Sequence, residues 1–144
     1  MSTRGSVAWR LPNGSALGVY NHNCSQPTAL GCTVLKEART LGLEGLVAKL
    51  KSNLHTSGAD ELFDPFLDPL FMEWVYVLDP VRNLIEVWAS AEHDPVKLRG
   101  YRGSGRSVLC HRGAHYTHVL AAEVPLDSQP DWAAIERVRS RVAA

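Results

Sequence analysis

The sequence predicts an α+β domain, an antiparallel sheet of about five strands with three helices, mainly on one face. Three observations predict it. Apolar residues alternate in two short runs near the N-terminus and in two longer runs from Phe71 to Ala89. Leucines recur at helical spacing between residues 28 and 54, and a third helical pattern closes the chain. The 144 residues are most simply one domain, 1–144.

The N-terminal half is predicted to contain one hairpin and two helices. Asn13-Gly14 favours a hairpin turn, and Gly42 separates two apolar stripes of helical period. The segment 55–70 contains two Asp-Pro pairs and is predicted to be irregular, pinned by its apolar side chains. The predicted elements are strands Gly5–Leu11 and Ala16–Asn21 and helices Thr28–Leu41 and Leu43–Leu54.

The central feature is a hairpin that turns at Asp79–Asn83, where Asp-Pro opens the loop and Asn tolerates a positive φ. Pairing Leu78 with Leu84 sets the predicted register. One face then carries Val75, Val77, Ile85 and Val87, and the other carries Trp74, Tyr76, Glu86 and Trp88. The aromatic face is either an open binding platform or a second core, covered for example by Phe63, Phe66 and Trp132.

The C-terminal third begins with a polar, glycine-rich loop, Ser90–Ser107, which contains Arg102 and Arg106. Two strands and a terminal helix are predicted after it. The helix buries a stripe of Trp132, Ile135 and Val138 and is capped by an Asp-rich cluster. The predicted bounds are Val108–Cys110 and Tyr116–Val124 for the strands and Asp131–Val142 for the helix.

Composition excludes several function classes. Fifteen basic and fifteen acidic side chains balance, which argues against broad electrostatic binding to nucleic acid or to an acidic membrane. No apolar run reaches the eighteen or so residues of a membrane-spanning helix. Three cysteines without a signal peptide predict free thiols in a reduced, cytoplasmic protein. We expect no cofactor.

Two polar clusters invite a catalytic or metal interpretation. The first cluster consists of Cys110, His111, His115 and His118. His115 and His118 lie three apart in a predicted strand, so they point to opposite faces and cannot bind one metal ion together. We therefore expect no metal site there. His22 beside Ser25 and Cys24 suggests a base and a nucleophile, but the same polar residues are what a helix-capping loop requires.

The chain resembles a family of small uncharacterised proteins from actinobacteria and their phages. The residues that carry the resemblance are the opening Met-Ser-Thr-Arg-Gly, the stretch Tyr20-Asn21-His22 with Pro27 and Leu30-Gly31 after it, the run Pro69–Asp79, the segment Leu84–Val87 and Val124-Pro125-Leu126-Asp127. Cys24 and Gln26 stand where the family pattern has Asp and Tyr. The resemblance implies a phage or mobile-element origin, with a host-cytoplasmic location, and implies no particular activity.

From these observations we expect a binding protein rather than an enzyme, one that holds a nucleotide-like ligand or a host protein, with a counter-defence role as one version. Its partners would be a small molecule or a host protein, and it could form a homo-oligomer. Two alternatives stay open: a small hydrolase with His22 as base and Ser25 or Cys24 as nucleophile, and a structural or assembly protein. The candidate ligand-binding residues are Tyr20, Asn21, His22, Ser25, Trp74, Tyr76, Glu86, Trp88, Arg102 and Arg106.

Overall fold

The structure is a computed structural model that describes residues 3–56, 62–67, 72–109 and 113–143, without the side chains of 53–56 and 143. Within those ranges it is an α+β fold with one six-stranded sheet and two α-helices. The strand order is β2-β1-β3-β4-β6-β5. The elements are β1 Gly5–Arg10, β2 Ala16–Asn21, a π-helical turn Pro27–Gly31, α1 Cys32–Thr56, β3 Trp74–Asp79, β4 Leu84–Glu92, β5 Val108–Leu109, β6 His115–Pro125 and α2 Trp132–Ala143.

The sheet is mixed, so the prediction of a purely antiparallel sheet of about five strands is wrong. Strands β1 and β3 pair in parallel, and the other neighbours in the sheet pair antiparallel. The π-helical turn and α1 connect β2 to β3 and return the chain to the free edge of β1. A helical crossover of this kind allows parallel pairing, which hairpin connections alone do not.

The prediction of three separate helices is also wrong. The chain breaks at Gly42, as expected, but only that residue leaves helical geometry, with φ 75° and ψ 160°. The helix resumes at once because Ala38 before the break and Leu43 and Leu46 after it are all buried in the same core. Glycine supplies the positive φ without steric cost, so α1 is kinked rather than ended there.

The central hairpin lies in the middle of the sheet, but its register differs from the prediction by one residue. Leu78 pairs with Ile85 rather than with Leu84, because the loop has four residues instead of five. The Asp79 carboxylate accepts the Arg82 N–H at 3.1 Å, and Asn83 adopts φ 55°. The positive φ at Asn83 is as predicted. The shorter loop shifts every cross-strand pair of the hairpin by one residue relative to the predicted register.

A shift of one residue exchanges the faces of a strand. Trp74, Tyr76 and Leu78 therefore lie with Ile85 and Val87 against the helices. Their strand neighbours Val75 and Val77 lie on the opposite face with Glu86 and Trp88. The prediction of one aliphatic and one aromatic face is wrong, since each face is mixed.

The face opposite the helices carries a second, smaller core. Two irregular segments cover it: Phe63 bridges to Gly18 at the edge of β2, and Gly103 bridges to Val119 of β6. A Cβ on Gly18 would lie 2.7 Å from that of Ala8, so only glycine allows β2 to approach this closely. Segments at both edges of the sheet thus converge over one face. The second core contains Ala8, Ala16, Phe66, Met72, Val75, Val77 and Trp88.

The terminal elements match the sequence more closely. The first hairpin turns through Gly14 at φ 87°, which closes the loop between β1 and β2 as Asn-Gly predicts. Asp131 caps α2 by accepting the Ala134 N–H at 3.1 Å. Ile135 is buried, and Trp132 and Val138 pack against the main core, which confirms the predicted stripe.

The first prediction concerns the core. Ile85 is 1% exposed, and Ile85→Ala should lower the free energy of unfolding by about 2–4 kcal/mol through lost burial and a residual cavity. Val81 in the loop of the same hairpin is 95% exposed, so Val81→Ala should change it by less than about 0.5 kcal/mol. Urea unfolding of both variants measures this, and equal losses would contradict the central position of the hairpin.

The second prediction concerns His118, which lies in the covered face and donates from Nε2 to the Met72 carbonyl at 2.6 Å. Burial lowers the pKa of His118 to about 4. The hydrogen bond to Met72 acts to raise this pKa, and the positive charge of Arg139 acts to lower it further. The unfolded chain, with a histidine pKa near 6.5, binds more protons between those values. Stability should therefore fall as the pH drops from about 6.5 to 4, by up to about 1.4 kcal/mol per pH unit.

Equilibrium unfolding at several pH values in that window tests this. His118→Gln replaces the imidazole by a neutral side chain and should flatten the dependence. His115→Gln is the matched control because His115, three residues earlier, is exposed. An unchanged slope in His118→Gln would show that other groups cause the loss.

Candidate functional site

The predicted site residues fall into two separate groups. Tyr20, Asn21, His22 and Ser25 lie in the loop that precedes the π-helical turn, and Tyr76 contacts that loop from the helix side of the sheet. Glu86 and Trp88 lie on the opposite face, where Arg102 lies over the Trp88 ring, and Arg106 follows Arg102 in the same irregular segment. Trp74 belongs to neither group, since it is buried in the main core.

The loop of the first group is closed by its own hydrogen bonds. Asn21 Nδ2 donates to Ser25 Oγ at 2.8 Å and to the Asn23 carbonyl at 3.0 Å. Tyr76 Oη donates to the Ser25 carbonyl at 2.6 Å, and burial raises the pKa of Tyr76, which keeps its hydroxyl protonated. Asn23 and Cys24 both have a positive φ. Side-chain bonds among Asn21, Asn23 and Ser25 therefore close the loop on itself, and the N-cap residue of the π-helical turn, Gln26, makes no side-chain cap hydrogen bond.

This geometry does not pair His22 with Ser25, the first of the two nucleophiles that the sequence left open. Ser25 is fully buried and its hydroxyl bonds to Asn21, so a substrate cannot reach it. His22 Nδ1 lies 2.8 Å from Tyr20 Oη instead. Cys24 is exposed on the outer side of the turn. A nucleophile needs its base within hydrogen-bond reach, and the bonds of this loop pair His22 and Ser25 with other residues.

The aromatic side chains do not form an open platform. Trp74, Tyr76 and Trp88 are each at most 2% exposed. Phe66 packs edge-on against Trp88, with ring centroids 5.4 Å apart and planes at 77°. Of the two alternatives that the sequence left open for Trp88, the structure shows a covered core, with Phe66 and Phe63 over it as expected. Trp132 lies on the other face, next to Gly31.

Glu86 is the charged centre of the covered face. Arg10 donates to both carboxylate oxygens, from Nη2 at 2.7 Å and from Nε at 3.3 Å, and Trp88 Nε1 donates at 2.9 Å. Burial raises the pKa of Glu86, but the hydrogen bonds from Arg10 and Trp88 outweigh it, so the pKa lies below its ordinary value. The carboxylate is therefore charged at neutral pH and holds the Arg10 guanidinium in a bidentate pair.

Arg10 also forms part of the wall of a cleft. Its Nη1 donates to the Gly14 carbonyl at 2.9 Å, which joins it to the first hairpin turn. That turn is ordered by Asn13, whose Oδ1 accepts from the Ser15 N–H and hydroxyl at 3.0 and 2.6 Å. The cleft has a volume of about 290 Å³ and is lined by Arg10, Asn13, Gly14, Ser15, Ala16, Asp64, Phe66, Ser104 and Arg106.

The opposite wall comes from the segment between β4 and β5. The Leu120 N–H donates to the Arg102 carbonyl at 2.8 Å, which holds this segment on β6. Thr117 Oγ1 donates to the Arg106 carbonyl at 2.6 Å and fixes the backbone from which the Arg106 side chain extends. Arg102 lies beside the cleft, with Cζ 6.0 Å from the Trp88 ring centroid. Two arginines, Arg10 and Arg106, thus line one polar opening.

Of the predicted residues, Arg106 lines the cleft. Glu86 and Trp88 lie beneath Arg10, which also lines it. Sequence reasoning missed Arg10, Asn13, Ser15, Asp64 and Ser104. The available signal was Arg10, a charged residue at the end of a strand that is otherwise uncharged. Its partner Glu86 lies 76 positions away across β3, and the parallel β1–β3 pairing that brings them together was not foreseen.

The histidine stretch behaves as its strand spacing predicts. His115 is exposed, and His118 is buried on the other face. Among the described residues, no three His, Cys, Asp or Glu side chains converge as metal ligands. Cys110 and His111 lie outside those residues. No helix in the described part of the chain is long and apolar enough to cross a membrane.

Comparison of the chain with protein-family models, with curated proteins and with solved structures finds no match.

Proposed function

We propose that this chain is a non-catalytic binding protein whose cleft holds a small anionic, nucleotide-like ligand. The observation that carries the proposal is the convergence of Arg10 and Arg106 on one polar cavity of about 290 Å³. Planar guanidinium groups bind phosphate and carboxylate oxygens in a bidentate manner. The volume is at the lower end of the range for small-molecule sites, which favours a ligand of mononucleotide size or smaller.

The donors in the cleft exceed what the protein itself uses. A guanidinium has five N–H groups, and Arg10 directs three of them at Glu86 and Gly14, which leaves two. Asn13 uses its carbonyl oxygen within the turn and keeps its amide N–H groups. Arg106 adds a third set of donors from the opposite wall. An anion is the ligand that such a set of donors favours.

The cleft is held in place before any ligand enters. Glu86 and the Gly14 carbonyl orient Arg10, and Thr117 anchors the backbone of Arg106. A site whose donors are already oriented loses less conformational entropy when it binds. This favours binding by a rigid cleft over capture by a loose loop.

The lining residues also favour binding over catalysis. Within the described part of the chain, the lining includes no histidine or cysteine, and the Ser15 hydroxyl bonds to Asn13. The Ser104 hydroxyl bonds within its own loop. Asp64 is the carboxylate of the described lining that could act as a base, but the hydrogen bonds of the Ser15 and Ser104 hydroxyls go to other residues.

A phage or mobile-element protein that sequesters a signalling nucleotide of the host is one concrete form of this proposal. It rests on the resemblance to actinobacterial and phage proteins. The cytoplasmic location, a host-protein partner and self-association stay predictions of the sequence.

The third prediction tests anion binding at Arg106. Arg106→Ala removes the guanidinium of one wall, and the affinity for inorganic phosphate and for nucleoside monophosphates should fall about tenfold or more, since hydrogen bonds to charged groups are worth about 1.5–3 kcal/mol. Isothermal titration calorimetry at low salt measures the affinity, and added salt should weaken it.

Arg137→Ala is the matched control because Arg137 is an exposed arginine on α2, among the helices of the other face. It should leave the affinity unchanged. Mass spectrometry after denaturation should recover the nucleotide intact. Equal losses of affinity in both variants would show that binding reflects overall charge rather than a site at Arg106. Product that accumulates beyond one equivalent would show that the protein is an enzyme rather than a binder.

A further inference from the structure

Asp64 is the acidic member of the described lining of this cleft. Its Oδ1 accepts the Phe66 N–H at 3.0 Å, which closes a local turn. A carboxylate has two oxygens with about four acceptor positions, so this single bond leaves most of its capacity for a ligand. Glu86, the carboxylate beneath the cleft, is in contrast engaged by Arg10 and Trp88.

The segment that carries Asp64 is fixed from both sides. The backbone of Phe63 exchanges two hydrogen bonds with Gly18, at 2.9 and 3.1 Å. The ring of Phe66 packs edge-on against Trp88 and against His118, each with centroids 5.4 Å apart. The Asp64 carboxylate is therefore presented from a rigid base, as a specificity-determining group requires.

Resting on the proposed function, we propose that the cleft selects an anionic ligand that also carries an amino donor, with Asp64 as the acceptor of that donor. A carboxylate accepts from an exocyclic amine such as N4 of cytosine. The same carboxylate repels a carbonyl oxygen at that position, as in uracil, and that repulsion supplies selectivity. A one-ring base also suits a cavity of about 290 Å³.

The fourth prediction compares cytidine 5′-monophosphate with uridine 5′-monophosphate, which differ in the amino and carbonyl groups of the base. The wild-type protein should bind the cytidine compound about tenfold more tightly, which corresponds to one charge-assisted hydrogen bond. Asp64→Asn should bring the two affinities within about twofold, because an amide can donate to the carbonyl oxygen. Its own carbonyl still accepts the Phe66 N–H, so the turn is retained.

Competition calorimetry of both nucleotides on wild type, Asp64→Asn and Arg106→Ala separates this inference from the proposed function. Arg106→Ala should weaken both nucleotides equally and keep their ratio. Equal affinities in the wild type, both lost in Arg106→Ala, would overturn selection by Asp64 and leave the anion site in place. Failure of the wild type to bind either nucleotide or inorganic phosphate would overturn both proposals.

An unchanged melting temperature for Asp64→Asn confirms that the comparison reports on binding. Asp127→Asn, at an exposed aspartate in the turn before α2, is the matched control and should keep the tenfold ratio. A ratio that falls in this variant as well would assign the selectivity to overall charge rather than to Asp64.

Discussion

A charged carboxylate buried in a sheet is the constraint on which the rest of this structure depends. Glu86 is 4% exposed in a central strand, and such a group is costly unless hydrogen bonds and an opposite charge compensate it. Arg10 and Trp88 supply both. The pair requires the Arg10 side chain on β1 to lie on the same face of the sheet as Glu86 on β4 and within its reach. The parallel pairing of β1 with β3 places it there.

The cleft follows from this pair. Arg10 donates to both Glu86 and the Gly14 carbonyl, so one side chain connects the buried carboxylate to the hairpin turn that forms one wall of the cleft. Phe66 covers Trp88 and brings the Asp64 turn to the same opening, and Arg106 closes the opposite side. The residues that stabilise the second core and those that face the ligand are therefore neighbours. A substitution in the Arg10–Glu86 pair should therefore alter both stability and binding.

Local signals predicted the hairpins and the terminal helix because each depends on a few adjacent residues, as at Gly14 and Asp131. The register of the central hairpin depended on whether the loop held four or five residues, and the Asp79 carboxylate favours four. That one residue placed Trp88 with Val75 and Val77 instead of with Trp74 and Tyr76. The first hairpin turn, which forms one wall of the cleft, could be predicted, but the cleft could not, because Asp64 and Arg106 come from irregular segments without periodicity and the Arg10–Glu86 contact joins residues 76 positions apart.

The most direct test of this account is a double-mutant cycle on the Arg10–Glu86 ion pair, with Arg10→Met, Glu86→Gln and the combination, each measured by urea unfolding at neutral pH. A buried, bidentate pair should show a coupling of about 2 kcal/mol or more, because either single change leaves the other charge uncompensated. A coupling below about 0.5 kcal/mol, typical of an exposed ion pair, would contradict the claim that Glu86 and Arg10 organise the cleft.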